Sequence, residues 1–228
     1  MIRIVSYNIH SGRDLFWRKR LRQMAETLHA TQADVICLQE VHQNSKFGNQ
    51  ADYLASELQY NMSFSPSIGL GDGAYGNALL TRHPVLHSRS LPLPARREKR
   101  TLQEVTLRWK ETTILIGNTH CSLFASSRNT QLHLLRAWAQ KQGKTSPLLL
   151  LGDFNSSAVS LSPPLQDCAV QMGKEQQSTL PSFKRRLDYV FASSHWHVLD
   201  YKVVRVSWSD HLPIIAELEL SQSPAPEG

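Results

Sequence analysis

Leu148-Leu149-Leu150-Leu151-Gly152-Asp153-Phe154-Asn155 is an apolar run of β type that ends abruptly in a carboxylate and an amide. Four bulky aliphatic residues in a row, bounded by glycine, fit a strand buried on both faces. The same signature recurs upstream. Ile2–Tyr7 runs into Asn8 and then His10, Val35–Leu38 into Gln39-Glu40, and Ile114–Asn118 into Thr119-His120. In the C-terminal half the order inverts. Asp188 opens the run Asp188–Ala192, and Asp210-His211 precede Leu212-Pro213-Ile214-Ile215-Ala216. If the later strands lie antiparallel to the earlier ones, a residue after one strand and a residue before another share a rim. Asn8, Glu40, His120, Asp153, Asn155, Asp188, Asp210 and His211 then converge at one mouth, where α/β proteins place their ligands.

Further β-type runs are Ala78–Thr81, Leu102–Leu107, Lys202–Val206 and Ile214–Leu220. Helical periodicity marks 17–30, with Leu21, Met24, Ala25 and Leu28 on one stripe, and also 49–58 and 127–141. The mixture predicts sheet layers covered by helices in one α/β domain over 1–220, followed by a frayed tail over 221–228. With 41% hydrophobic and 19% charged among 228 residues, the chain can bury a core. Its apolar runs are far shorter than the roughly 20 residues of a membrane span. The odd cysteine count, Cys37, Cys121 and Cys168, suggests neither a disulfide framework nor a zinc cluster, so a cytoplasmic location is expected. Twenty-five Lys and Arg against nineteen Asp and Glu give a net +6. The excess clumps at Arg18-Lys19-Arg20, Arg96-Arg97 with Lys99-Arg100, and Lys184-Arg185-Arg186. Such a surface favours polyanions: nucleic acid, anionic lipid or phosphorylated substrates.

Other residues have plainer readings. His10, His42, His83 and His133 have no partner in sequence and read as structural or solvated. Cys37 and Cys121 read as inert buried thiols. For Phe16-Trp17 and Trp196, core packing is favoured over stacking on bases or insertion into lipid. Asp188 after Arg185-Arg186 could form a local ion pair. The glycine-rich loop Gly69–Ala74 reads either as a border of the cleft or as a hairpin turn.

Carboxylates with Asn and His, and no cysteine at ligand spacing, suit a hard cation, Mg²⁺, Mn²⁺ or Ca²⁺, rather than zinc. The chain carries no Gly-x-x-x-x-Gly-Lys-Ser/Thr loop, no Gly-x-Gly-x-x-Gly fingerprint and no Gly-x-Ser-x-Gly elbow. Metal-assisted attack of water on phosphorus is the most economical chemistry that remains.

Seven motifs in order, Ser6-Tyr7-Asn8-Ile9, Leu38-Gln39-Glu40-Val41, Gly76-Asn77-Ala78, Asn118-Thr119-His120, Gly152-Asp153-Phe154-Asn155, Arg186-Leu187-Asp188-Tyr189 and Ser209-Asp210-His211-Leu212-Pro213, span residues 6 to 214. In this series the chain resembles the endonuclease/exonuclease/phosphatase superfamily, with its deoxyribonuclease-I-like fold. The resemblance implies a four-layer α/β/β/α sandwich of two mixed β-sheets flanked by helices. It implies a Mg²⁺-dependent enzyme, with Mn²⁺ a substitute, in which Glu40 is the principal metal ligand and Asn8 and Asp210 are further or alternative ligands. His211, oriented by Asp188, would activate water or stabilise the phosphorane. Asp153 would position or deprotonate the attacking water, Asn155 would donate to a phosphoryl oxygen, and His120 would bind phosphate or assist the leaving group. Arg100 and Asn77 are assigned to substrate binding.

Glu40-Val41-His42 departs from the Glu-Thr-Lys usual in abasic-site endonucleases of the superfamily. The opening Tyr7-Asn8-Ile9-His10-Ser11-Gly12 looks most like small bacterial hydrolases of that group. The expected substrate is therefore a phospholipid-type or other small phosphodiester. A nuclease acting on DNA or RNA is the alternative, and a non-catalytic polyanion-binding module is the third reading. The partner is an anionic phosphodiester; peripheral membrane contact is compatible with the sequence, and a monomer is expected.

Overall fold

The computed structural model describes residues 1–221. The expected tail lies, from residue 222 onward, outside the described residues. Thirteen strands and four α-helices follow in the order β1 (Ile2–Asn8), α1 (Leu21–Thr31), β2 (Val35–Asn44), β3 (Gly48–Asn49), α2 (Gln50–Leu58), β4 (Asn61–Leu70), β5 (Gly73–Thr81), β6 (Val85–Leu93), β7 (Arg100–Trp109), β8 (Thr112–His120), α3 (Ala125–Gln142), β9 (Leu148–Asp153), β10 (Leu165–Asp167), α4 (Cys168–Gln171), β11 (Asp188–Ser193), β12 (Trp196–Val203) and β13 (Ile214–Leu220). They form two sheets, one ordered β12-β13-β1-β2-β5-β4 with β3 beside β2, the other β10-β11-β9-β8-β7-β6. Each is mixed, with one parallel pair, β1–β2 in the first and β8–β9 in the second.

The alternation of side chains sorts the apolar residues into three layers. On β9, Leu149 and Leu151 face the core between the sheets, whereas Leu148 and Leu150 face α3 through Leu135 and Ala139. On β1, Ile2 and Ile4 point inward while Val5 and Tyr7 pack with Met24 and Leu28 of α1 and with Leu54 of α2. Helices on both outer faces of two stacked sheets make the four-layer α/β/β/α sandwich. Gly117 of β8 is required by this packing, because a Cβ there would lie 2.7 Å from the Trp138 ring on α3.

The inversion read from the sequence has the expected structural basis. β11 is antiparallel to β9 with Asp188 opposite Asp153, and β13 is antiparallel to β1 with Ile214 opposite Ser6. The segment before β13 therefore leaves the sheet where β1 ends. His120 and Asp153 are paired at the ends of the parallel strands β8 and β9.

Besides the two- and three-residue strands β3 and β10, the sequence pattern misses β4 and β6, each at one end of its sheet. Each carries a proline, Pro66 or Pro92, and β6 is largely exposed. Edge strands tolerate proline and need no alternating apolar face, so their pattern is weak. The two edges meet through hydroxyls, Ser63 with Ser88 and Ser65 with Ser90, each 2.6 Å apart. Helix α1 starts at Leu21 rather than at 17, because residues 13–19 close a tight loop through an Arg13–Lys19 bridge. The strand expected at Lys202–Val206 instead ends at Val203, and Val204 and Val206 pack on the outer core. Gly69–Ala74 is the hairpin turn between β4 and β5, with Gly71 at φ +63°.

A buried polar staple joins the sheets beneath the strand tips. Asn118 of β8 donates from Nδ2 to the Leu38 and Ala78 carbonyls at 3.2 and 3.0 Å, and to Gln103 Oε1 at 3.0 Å. Its Oδ1 accepts from Gln39 Nε2 at 2.8 Å. Truncation strands several buried groups at once. Asn118→Ala is expected to lower unfolding free energy by about 2–4 kcal/mol. Urea denaturation monitored by circular dichroism measures this, and a loss below about 0.5 kcal/mol would contradict the staple.

Candidate active site

The rim where both sheets end surrounds a cleft of about 520 Å³. Glu40, Arg100, His120, Asp153, Asn155, Asp210 and His211 line it. Asn8 and Asp188 lie fully buried directly behind that lining. Of the residues singled out in the sequence, Asn77 is not part of the wall. It is buried beneath the cleft, where its Nδ2 donates to the Thr101 carbonyl at 3.3 Å in the inter-sheet network.

Unusual backbone aims several of these side chains. Glu40 has φ +59° at a register break in the β2–β5 ladder, so a bulge turns its carboxylate into the cleft. Asn155 and His10 also have positive φ, +50° and +45°. Such conformations cost about 1–3 kcal/mol each in non-glycine residues and persist where the surroundings enforce them. Gly152 at φ +140° lies so close to β8 that a Cβ would stand 1.9 Å from the Thr119 carbonyl oxygen. Only glycine lets β9 deliver Asp153 beside His120.

Asn8 ties the two sheets together. Its Nδ2 donates to Glu40 Oε1 and to Asp153 Oδ2, both at 3.0 Å, while its Oδ1 accepts from the His10 amide at 3.0 Å. Ser209 Oγ in turn donates to the Asn8 carbonyl at 2.8 Å and accepts from the His211 amide at 3.1 Å, which fixes the Asp210-His211 loop. Asp188 does not pair with its arginine neighbours, because Arg186 is taken by Asp167. It accepts from His211 Nδ1 at 2.8 Å, and its own amide donates to Thr179 Oγ1 at 3.1 Å.

These contacts set the protonation states. Burial opposes charge on His211, but Asp188 and Asp153 outweigh it and hold the imidazole protonated well above its ordinary range. Burial raises the Asp153 carboxyl, and Asp188 adds to the rise against the opposing pull of His211. His120 differs. Burial, then Arg100, then His211 push its pKa well down. Because a guanidinium only donates, Arg100 Nη1 at 2.7 Å makes His120 Nδ1 an acceptor and places the ring proton on Nε2. Arg100 is itself held by Glu98 Oε2 at 2.6 Å. The Nε2 atoms of His120 and His211 lie 3.5 and 3.6 Å from Asp153 Oδ2, too far for good hydrogen bonds. Two N–H donors, one neutral and one cationic, are therefore available to a ligand at the same carboxylate.

Two groups offer themselves to a cation. Asp153, Asp188 and His211 bring ligand atoms within 4.8 Å of one another, all buried. That trio is already internally paired. Glu40, by contrast, faces the cleft with no Lys, Arg or His within 4.0 Å among the described residues, and its recorded partner is the Asn8 amide. Asp210 shares the cleft, with His10 Nδ1 3.9 Å away. An oxygen-only set of this kind suits a hard divalent cation.

Several lining residues carried no sequence signal of their own. His10, read as structural or solvated, forms part of the wall, as do Tyr75, Glu98, Leu123, Arg128 and Phe183. His42 is structural as expected, stacked on Phe47 with centroids 4.3 Å apart, and His133 is solvent-exposed. Cys37 and Cys121 are buried free thiols whose pKa is pushed up by burial, Cys121 to about 12.

A family described as the endonuclease/exonuclease/phosphatase family matches residues 5–211. Among curated proteins, YbhP of Escherichia coli strain K12, described as uncharacterized, is 24% identical over 96% of both chains. The human Nocturnin catalytic domain with bound sulfate aligns at TM-score 0.75 and 26% identity, over 96% of this chain and 93% of that one. Danio rerio TDP2 complexed with single-strand DNA product aligns at TM-score 0.80 and 18% identity, over 96% and 98%.

Asp188→Asn removes the largest charge holding the His211 proton and leaves burial to act against it. The His211 titration, followed by imidazole NMR, is expected to move down by at least about one pH unit. An unchanged titration would dissociate His211 protonation from Asp188.

Proposed function

The chain belongs to the endonuclease/exonuclease/phosphatase family, whose members are hydrolases of phosphodiester or phosphate ester bonds, and from that premise we propose a Mg²⁺-dependent phosphodiesterase acting on a phospholipid-type or other small phosphodiester. The observation that carries this reading is the geometry at Asp153. A buried carboxylate stands beside one cationic and one neutral imidazole N–H, and Asn8 bridges it to the Glu40 carboxylate, which has no cationic partner among the described residues.

Glu40 and Asp210 would hold the metal, with Asn8 orienting Glu40 and offering its remaining oxygen lone pair. A Mg²⁺ bound there, or Mn²⁺ in its place, supplies positive charge to the phosphoryl group. The chain's own residues do the rest. Asp153, whose raised pKa makes it a competent base near neutrality, takes the proton of the attacking water. His211 donates from Nε2 to the phosphoryl group while Asp188 stabilises its charge. As the water oxygen bonds to phosphorus, the ester P–O bond breaks and the departing oxygen takes a proton from His211. Asp153 then releases the proton it gained to solvent water and His211 takes one back from it, so both groups end as they began. His120 contributes an oriented Nε2–H to a phosphoryl oxygen, as does the second amide hydrogen of Asn155, whose other bond goes to the Cys121 carbonyl. Arg100 belongs to this apparatus through His120, as a positioning residue.

A nuclease using the same site is the second reading, favoured by the likeness to TDP2 with its single-strand DNA product and by the net charge of +6. Three buried free cysteines support a reducing, cytoplasmic location, and we take the enzyme to be a monomer.

The deciding experiment is a hydrolysis panel in Mg²⁺ or Mn²⁺ with bis(p-nitrophenyl) phosphate, a monoester, plasmid, RNA and phospholipid vesicles. Diester hydrolysis that stops in excess chelator is expected. Glu40→Ala should lose at least about 100-fold in rate with its circular dichroism unchanged. Wild-type turnover in that variant, or in chelator, contradicts the metal mechanism.

A further inference from the structure

Phe16, Trp17, Leu123 and Phe183 are 77, 64, 67 and 72% exposed, although the sequence alone favoured core packing for the first two. Trp196 does pack in the core, with its ring 5.7 Å from that of Trp109. The exposed residues are not scattered. Leu123 and Phe183 line the cleft itself. The Trp17 ring lies 5.1 Å from that of His10, another lining residue. Three loops, β1–α1, β8–α3 and the one before β11, thus carry large apolar tips around one opening.

The tips are held outward by structure. Asp14 is buried and accepts from the Phe16 and Arg18 amides and from the Nε atoms of Arg18 and Arg20, at 2.8 to 3.1 Å. This knot pins a loop whose apex is Leu15-Phe16-Trp17, with Trp17 at φ +62°. In the second loop Arg128 Nη1 donates to the Ser122 and Leu123 carbonyls at 3.1 and 2.8 Å. In the third, a Leu180–Arg185 bridge closes the turn that presents Phe183. A loop that spends left-handed backbone and a buried carboxylate to expose a tryptophan is built for contact.

Each tip also carries positive charge. Arg18 lies over the Phe16 ring at 5.0 Å and Arg97 over the Phe124 ring at 5.4 Å, while Lys184 and Arg185 follow Phe183. We propose that this rim seats the enzyme on an anionic phospholipid bilayer, the apolar tips entering the interface and the surrounding Arg and Lys contacting lipid phosphates, so that the cleft opens toward headgroups. Aromatic and aliphatic tips ringed by basic groups are the composition of interfacial membrane contacts. Nucleic acid fits less well. Leu15 and Leu123 offer no face for base stacking, and a guanidinium group already covers one face of each of the Phe16 and Phe124 rings. The inference deepens the phosphodiesterase reading and rests on it for the choice of substrate.

The test is co-sedimentation of the full chain with vesicles of phosphatidylcholine, with and without phosphatidylglycerol, in chelator so that no turnover intervenes. Trp17 is a built-in reporter, since of the five tryptophans it alone is exposed: Trp109 and Trp196 are buried, and Trp138 and Trp208 are partly buried. Binding to the phosphatidylglycerol vesicles with a blue shift of emission, the shift lost in Trp17→Phe, is expected. Leu15→Ser/Phe16→Ser/Phe124→Ser, none of which lines the cleft, should weaken partition by roughly tenfold or more while bis(p-nitrophenyl) phosphate hydrolysis stays at the wild-type rate. Absence of vesicle binding at low salt, or binding that the triple variant leaves unchanged, overturns the proposal. So does retention of a single-stranded oligonucleotide that the triple variant alone loses, without vesicle binding. Vesicle binding by a protein that, with Mg²⁺ restored, cleaves neither the soluble diester nor the vesicle phospholipid supports the rim and refutes the phosphodiesterase reading instead.

Discussion

One amide holds this site together. Asn8 Nδ2, at the end of a strand in one sheet, donates at 3.0 Å both to Glu40 in its own sheet and to Asp153 in the other. Two carboxylates brought near each other repel, and the buried Asp153 has in addition lost its hydration. A shared donor lowers that cost without adding a mobile charge, and it fixes the spacing between the two sheets at the cleft. The surrounding arrangements serve the same point. Gly152 allows the close strand contact that delivers Asp153, the β2 bulge turns Glu40, and Ser209 anchors the Asp210-His211 loop to the Asn8 carbonyl.

From this constraint comes a division of labour between the histidines. Both present Nε2 to the same Asp153 oxygen, yet their second partners are opposite in charge. Asp188 behind His211 keeps it a cation, and Arg100 behind His120 keeps it neutral with a defined tautomer. A phosphoryl group entering between them meets one charged donor, one neutral donor and a basic carboxylate. The net charge of +6 then has a place: basic residues gather on the loops around an acidic, metal-suited floor.

Much of this was legible in the residues. A strand buried on both faces must be continuously apolar, so its polar terminus stands out, and Asn8, Glu40, His120 and Asp153 declared themselves that way. Asp188 and His211 required the further step of reading strand direction from polar residues that come first. What escaped did so for definable reasons. β4 and β6 sit at sheet edges, where proline and exposed polar residues erase the pattern. Asn77 carries a polar side chain, but whether it faces a cleft or an inter-sheet network depends on packing that no local spacing encodes. Phe16 and Trp17 resemble core residues by composition. Only the Asp14 knot, built from contacts among residues 13 to 20, reveals that they point outward.

In the proposed mechanism the Asn8-braced Glu40 carboxylate, and not the internally paired Asp153–Asp188–His211 trio, receives the divalent cation. Anomalous scattering from crystals of the protein grown with Mn²⁺ addresses it directly. An anomalous peak bound by Glu40 and Asp210 oxygens is expected, with the His211–Asp188 hydrogen bond intact. A peak seated among Asp153, Asp188 and His211, or none at Glu40 under saturating Mn²⁺, would contradict it.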